Sequence, residues 1–304
     1  MLRLWALFPK AHGYLYQIVE RYGSRLADDP LECRLFNGAK VTCDLHDHIQ
    51  RLIYFYGSYE PIETYIVRAL LHPGMVVVDA GANIGQYTLL AAMEVGIHGQ
   101  VHAFEPVPKN FKQLAAHVLK NNLTNIVHMS MIPLWYKPET LSLCLRADMA
   151  DNAGAYSVGM PSEGGDVLSW VNCLATTLDD YVAEKSLKKV DFIKMDIEGS
   201  EWFALRGAVS LFSYCQPTIL LEINRETCRM VGYEPEKLWE FLKPYGYHMW
   251  LVGNAPWTCR PLLSLGGVDR ANVIFHIEPL PEMVTKGWSL KGILQSHRYN
   301  AGIF

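Results

Sequence analysis

The stretch Val76-Val77-Val78-Asp79-Ala80-Gly81-Ala82-Asn83-Ile84-Gly85 decides how this chain folds. Three β-branched residues in a row read as a buried strand. An acid ends the run. Two glycines then frame a turn into Gln86-Tyr87-Thr88-Leu89-Leu90-Ala91-Ala92, which reads as a helix. A doubly wound α/β domain builds its nucleotide pocket in this way, with the ligand beyond the carboxyl end of the strand. Twenty residues past Gly85, Glu105 closes a second apolar run, Val101-His102-Ala103-Phe104. A carboxylate there can accept both hydroxyls of a ribose. Such a group stands outside the core, so its removal is expected to leave ligand-free stability nearly unchanged.

The glycine spacing selects among nucleotides. A dinucleotide fingerprint needs G-x-G-x-x-G, whose middle glycine lets backbone touch a pyrophosphate. Here the spacing is G-x-x-x-G, and Ala82 and Asn83 follow the first glycine. No Gly-Lys-Ser/Thr follows to cradle a triphosphate. S-adenosylmethionine fits better than a nicotinamide cofactor. It has a ribose but no phosphate, and its ammonium suits an acid such as Asp79. Asp79 can equally hold the amides of the turn.

The bulk numbers narrow the class. The chain has 304 residues, 50% of them hydrophobic and 19% charged, enough for a large core. A formal charge of -4 makes nucleic acid a poor partner. No apolar run reaches the about 18 residues needed to span a bilayer. The apolar start, Met1 to Phe8, is cut off by Pro9 and Lys10, too short for a signal peptide. Seven scattered cysteines without a C-x-x-C pair read as reduced thiols, and the expected location is cytoplasmic. A two-residue Asn37-Gly38 turn pairs Cys33 with Thr42 rather than Cys43, so no disulfide is expected there.

Residues 1–61 read as an accessory helix and hairpin, 62–280 as the nucleotide-binding domain and 281–304 as a tail. Within 62–280, strands are expected near Val76, Val101, Ile126–Met131, Val190–Met195, Thr218–Leu221, Tyr247–Val252 and Ala271–His276. The last two have no helix between them and should pair antiparallel. Trp135 to Leu174 breaks the β-α rhythm. It reads as inserted hairpin strands, with the loop from Asp148 to Gly165 over the pocket.

Further markers appear in order: Gly57-Ser58-Tyr59-Glu60-Pro61, the Asp79–Gly85 turn with Tyr87, Phe104-Glu105-Pro106, Thr177-Leu178-Asp179, Lys194-Met195-Asp196-Ile197-Glu198-Gly199-Ser200-Glu201, and Ile219-Leu220-Leu221-Glu222. Over Tyr56 to Ile277 the chain resembles the FkbM family of methyltransferases. The Lys-x-Asp-x-Glu-Gly-x-Glu block is the specific part. The resemblance implies an α/β, Rossmann-like class I methyltransferase sheet of seven strands, in order 3-2-1-4-5-7-6 with the last antiparallel. It also implies S-adenosylmethionine as methyl donor and a hydroxyl as acceptor. Where the family carries a polar turn after its third strand, this chain has Ile132-Pro133-Leu134-Trp135-Tyr136, so adenine is expected against Ile132 and stacked on Trp135 or Tyr136.

The expected cofactor residues are therefore Asp79, Gly81, Ala82, Asn83, Gly85, Tyr87, Glu105, Pro106, Ile132 and Asp196. Asp196 and Glu198 end a strand beside the cofactor strand, and either can take a proton from the acceptor. Glu201 can simply favour its helix's N-terminus. Lys194 can pair with a strand-end acid or orient the acceptor. Tyr59, Glu60, Lys194, Glu222 and Trp250 are expected on the acceptor side, with Trp257, Tyr245 and Tyr247 as further wall. A cation held by Asp196, Glu198, Glu201 and Glu222 is the lesser reading, and no metal is expected. His46-Asp47-His48 reads as a surface turn. The expected activity is O-methylation of a small hydroxylated molecule, such as a sugar or secondary metabolite. N- or carboxyl-methylation of an amino acid or peptide, and cofactor binding without transfer, are the alternatives. Oligomeric state is left open.

Overall fold

The computed structural model describes residues 9–152, 154–158, 166–253 and 259–285. Met1–Phe8, the loop residues 159–165, Trp257 and the tail beyond 285 lie outside the described residues. Helix α1 (Pro9–Tyr22) precedes a hairpin, β1 (Leu31–Arg34) and β2 (Lys40–Cys43), then α2 (His48–Tyr56) and α3 (Pro61–Leu70). A β-α alternation follows: β3 (Val76–Ala80), α4 (Gln86–Val95), β4 (Gln100–Phe104), α5 (Pro108–Lys120) and β5 (Val127–Ser130). Three strands interrupt it, β6 (Thr140–Arg146), β7 (Tyr156–Val158) and β8 (Val167–Leu174). It resumes with α6 (Leu178–Glu184), β9 (Phe192–Met195), α7 (Glu201–Arg206), α8 (Val209–Tyr214), β10 (Thr218–Asn224), α9 (Arg225–Met230) and α10 (Glu236–Leu242). Then come β11 (His248–Val252), β12 (Cys259–Leu262), β13 (Arg270–His276) and α11 (Glu282–Thr285).

The main sheet runs β12-β11-β13-β10-β9-β3-β4-β5. Strands β5, β4, β3, β9 and β10 are parallel, and β13 lies antiparallel between β10 and β11. Without β12, this is the expected order 3-2-1-4-5-7-6. The extra edge strand β12 pairs with β11. Helices cover both faces, which is why the central strands are buried along nearly their whole length. Val77 packs with Leu89, Leu114 and Ile274 on one face, while Val78 packs with Ile193, Leu205 and Phe275 on the other. Leu35, Val41, Leu45 and Ile53, from before residue 61, share the first of these clusters.

From β3 the chain goes to β4 on one side and later returns to β9 on the other. The ends of β3, β4 and β9 therefore open a crevice at the topological switch. Two local expectations need correction. The hairpin loop has three residues, because Leu35 pairs with Ala39 and Gly38 takes φ +92°. That shifts the register by one, so Cys33 faces Val41, and the Cys33 and Cys43 thiols sit diagonally, 3.6 Å apart. Glu222 lies inside β10 opposite Asn272, not at the strand's end. The inserted hairpin strands are present as expected, as an antiparallel sheet of their own, β7-β6-β8.

Candidate active site

The glycine turn is built by close approach. Gly81 has φ +80°, and a Cβ there would stand 1.9 Å from the Asp196 carbonyl oxygen. Gly81 and Ala82 donate their amides to the Phe104 carbonyl, at 3.0 and 2.9 Å. Gly85 has φ +98°, and a Cβ there would meet Leu114 at 2.6 Å. The turn is thus pressed against the ends of β4 and β9 and against α5 at once.

Glu105 clamps this turn. Its carboxylate accepts the Asn83 amide at 2.7 Å and the Val107 amide at 2.9 Å. It is 4% exposed, and burial pushes its pKa up to about 7. The expectation of a carboxylate outside the core is therefore wrong: Glu105 ties the turn to the start of α5. The Asn110 side chain donates a third hydrogen bond to the Glu105 carboxylate, which leaves one of its four lone pairs for a further donor. Asp79 sits deeper. Its Oδ2 accepts the Thr88 hydroxyl at 2.5 Å, its Oδ1 has no partner among the described residues, and it lines neither of the cavities described next. Burial pushes its pKa up, opposed by Lys194.

Two cavities meet at a waist formed by Gly81, Glu105, Gly154, Asp196 and Glu198. The two clefts span about 530 and 580 Å³, open solvent included. The first has an apolar wall of Phe104, Pro106, Ile132, Leu141, Leu143 and Tyr156, facing Glu105, Asp196, Glu198 and Ser200. Part of that wall comes from the inserted sheet. Trp135 and Tyr136 do not form it. Trp135 instead stacks on Phe203 at 4.2 Å and donates to Glu139 at 2.7 Å, because its amide is held by the Thr176 carbonyl and turns the chain away. The second has a polar wall of Tyr59, Glu60, Asn83, Gln86, Tyr87 and Lys194, beside Ile49, Ile53, Ala82 and Ile84.

The charges around the waist are arranged in a chain. Lys194 Nζ is buried, 3.2 Å from Asp196 Oδ2 and 4.9 Å from the centre of the Tyr87 ring. Burial opposes its charge, but Asp196, Asp79 and Glu60 together hold its pKa above the usual lysine value. Burial likewise opposes ionisation of Asp196, yet Lys194 and a hydrogen bond with Glu222 hold its pKa below the usual range. Burial, Asp196 and Glu198 push the pKa of Glu222 up, opposed by Arg270. Arg270 Nε donates to Glu222 at 2.9 Å. Glu60 accepts the Tyr87 hydroxyl at 3.0 Å and the Asn272 amide at 3.1 Å.

Glu198 differs from its neighbours. It occupies the left-handed region at φ +52°, is half-buried, and has no hydrogen bond among the described residues. Burial, Asp196 and Glu201 push its pKa up to about 8. Glu201 plays a structural part. Its Oε1 accepts the Ile197 amide at 2.9 Å, closing the turn that carries Glu198.

Other expected residues lie elsewhere. Trp250 packs against a core cluster and lines neither cavity. Tyr247 is buried and donates to the Pro217 carbonyl, and Tyr245 packs on Phe212. These aromatics lie away from the site because β13 and β10 stand between β11 and the crevice strands. Asp47 caps α2 by accepting the Gln50 amide at 2.9 Å. Among the described residues, no group of three or more His, Cys, Asp or Glu side chains is arranged to hold a metal ion. Sequence reasoning missed Arg270, Asn272, Gly154 and Tyr156. The first two become visible only once β13 is known to sit beside β10.

Residues 79–249, more than half of the chain, match the family model described as the methyltransferase FkbM domain. Over 197 residues the chain is 28% identical to the 31-O-demethyl-FK506 methyltransferase FkbM of Streptomyces tacrolimicus, spanning 57% of this chain and 74% of that protein. Over 144 residues it is 27% identical to Methyltransferase 1 of Beauveria bassiana, spanning 43% of this chain and 57% of that protein. Among solved structures, methyltransferase FkbM from Methylobacillus flagellatus aligns at 16% identity over 88% of this chain and 60% of that one, with a TM-score of 0.42. That score carries no weight for the fold, which rests on the strand order. The chain belongs to the FkbM family of S-adenosylmethionine-dependent methyltransferases.

Proposed function

We propose that this enzyme methylates a hydroxyl group of a small molecule, such as a sugar or secondary metabolite, with Glu198 as general base. The observation that carries this reading is the free Glu198 carboxylate at the waist of the two cavities. The cavity pair fits S-adenosylmethionine. The cavity with the apolar wall suits adenine, Glu105 has a lone pair for a ribose hydroxyl, and the cavity over the glycine turn suits the methionine end. Bound there, the cofactor supplies a methyl group already activated by its sulfonium.

Alignment then does much of the work. Glu198 receives the proton that the acceptor hydroxyl gives up as it takes the methyl group. Asp196 is less available for that step, because Lys194 and Glu222 already engage it. It serves as a fixed anion at the strand end, and Asp79 acts on the site through Lys194. The acceptor side shares the second cavity, lined there by Tyr59, Glu60 and Lys194, while Glu222 and Arg270 line neither cavity and act through Asp196. The printed name of the Streptomyces relative, which specifies an oxygen, supports the hydroxyl. In the same reading, residues 62–280 are the methyltransferase unit, 1–61 an accessory segment and 281–304 a tail. The seven scattered cysteines, with no C-x-x-C pair, support a reducing, cytoplasmic setting.

The test uses S-adenosylmethionine carrying a ¹³C-labelled methyl group and a panel of sugars, phenols, amines and carboxylic acids. The carbon chemical shift separates O-methyl, N-methyl and ester products. O-methyl ethers are the expected product; N-methyl or ester products alone would overturn the reading.

A further inference from the structure

We propose that His117 is a positioning residue for the cofactor turn, and that through it the N-terminal hairpin governs affinity for the methyl donor. This rests on the placement of S-adenosylmethionine over the glycine turn proposed above.

Strand β2 belongs to a sheet of only two strands, so its outer edge needs partners. Helix α5 supplies them with side chains. Asn121, just past its end, accepts the Lys40 amide and donates to the Lys40 carbonyl, both at 2.8 Å. Four residues earlier on the same face, His117 Nε2 lies 2.9 Å from the Thr42 amide. That amide can only donate, so Nε2 must be the bare nitrogen and the ring proton sits on Nδ1. Nδ1 lies 2.8 Å from the Ile84 carbonyl and donates to it. His117 is 2% exposed, and burial lowers its pKa, which keeps the ring neutral.

The imidazole thus bridges the hairpin to the middle of the glycine turn. Asn83 and Ile84 line the second cavity. Glu105 holds this turn through the Asn83 amide, and His117 holds it one residue on through the Ile84 carbonyl. Thr42 lines neither cavity. A change at the Thr42 amide therefore reaches the donor site by way of His117.

The test is calorimetric titration of the full chain with S-adenosylmethionine, well below the melting temperature of each variant. His117→Leu removes both hydrogen bonds. Thr42→Pro removes the donor amide at an outward-facing edge position, where proline is tolerated. Each should raise Kd about tenfold, the effect of losing a hydrogen bond of ordinary strength. His117→Gln keeps one donor and one acceptor, and Thr42→Val keeps the amide. Both should stay within about threefold of wild type. Wild-type affinity in Thr42→Pro and His117→Leu overturns the role of His117. Should His117→Leu fail to fold, Thr42→Pro decides alone. Wild-type protein that binds no S-adenosylmethionine overturns the donor placement, and this role with it.

Discussion

Gly81 lies so close to Asp196 that a single added carbon would stand 1.9 Å from the Asp196 carbonyl oxygen. The Asp196 amide in turn donates to the Ala80 carbonyl at 3.1 Å. The ends of the two central strands are locked together, and the cofactor turn starts from that lock.

Gly81→Ala therefore has two costs, a clash with backbone and a left-handed φ of +80°. We expect a loss of about 3 kcal/mol or more of unfolding free energy, and loss of S-adenosylmethionine binding. Gly74 is the control. It has φ +83°, and a Cβ there would meet nothing within 4 Å, so Gly74→Ala should cost only about 1–2 kcal/mol. Urea denaturation of the two variants checks this. Equal losses would mean that the Asp196 carbonyl can yield.

This lock was partly legible in the sequence. Val76–Val78 and Ile193–Met195 read as strands because burial on both faces demands continuous apolar runs. Glu105 and Asp196 were legible because strand-end acids stand out against such runs. What escaped was whatever depends on pairing between distant segments. Glu222 reads as a strand end until the opposing Asn272 shows that β10 continues, and Arg270 has no local signal at all. One extra loop residue moved Cys33 from Thr42 to Val41. Tyr156–Val158 is too short for any periodicity to register.

Glu105 should show two losses at once. Glu105→Ala leaves the Asn83 and Val107 amides without their acceptor. Ligand-free stability should fall by about 1–3 kcal/mol, and S-adenosylmethionine affinity by about 1.5–3 kcal/mol. Thermal melting without ligand and calorimetry with it separate the two. An unchanged melting temperature in the ligand-free variant would contradict the clamp.

Glu201 should make stability depend on pH. Burial raises its folded pKa to about 7, above the ordinary value of 4.5. A raised carboxyl pKa favours the folded state below about pH 4.5, and that contribution is lost as pH rises through about 7. Glu201→Gln keeps an oxygen for the Ile197 amide but cannot ionise. Wild-type unfolding free energy should therefore fall more steeply than the variant's between about pH 5 and pH 8. Parallel profiles would place the titration on other buried acids such as Glu60.

Glu198 and Asp196 are separated by two measurements. If Glu198 receives the acceptor proton, turnover rises with pH as its carboxyl ionises. In the ligand-free protein that pKa is raised to about 8, and the cationic donor pulls it lower. Glu198→Gln should lower turnover by about 10²–10⁴-fold and abolish this rising limb without loss of stability, since no hydrogen bond to it is lost among the described residues and the cost of ionising the buried carboxyl at higher pH is removed. Asp196→Asn behaves differently. It leaves the buried Lys194 without its ion-pair partner at 3.2 Å, so it should lower stability by about 3–5 kcal/mol as well as activity. Lys194→Met combined with Asp196→Asn should restore part of that stability. A Glu198→Gln enzyme with near-normal turnover and an intact rising limb would transfer the base assignment to Asp196 or to water.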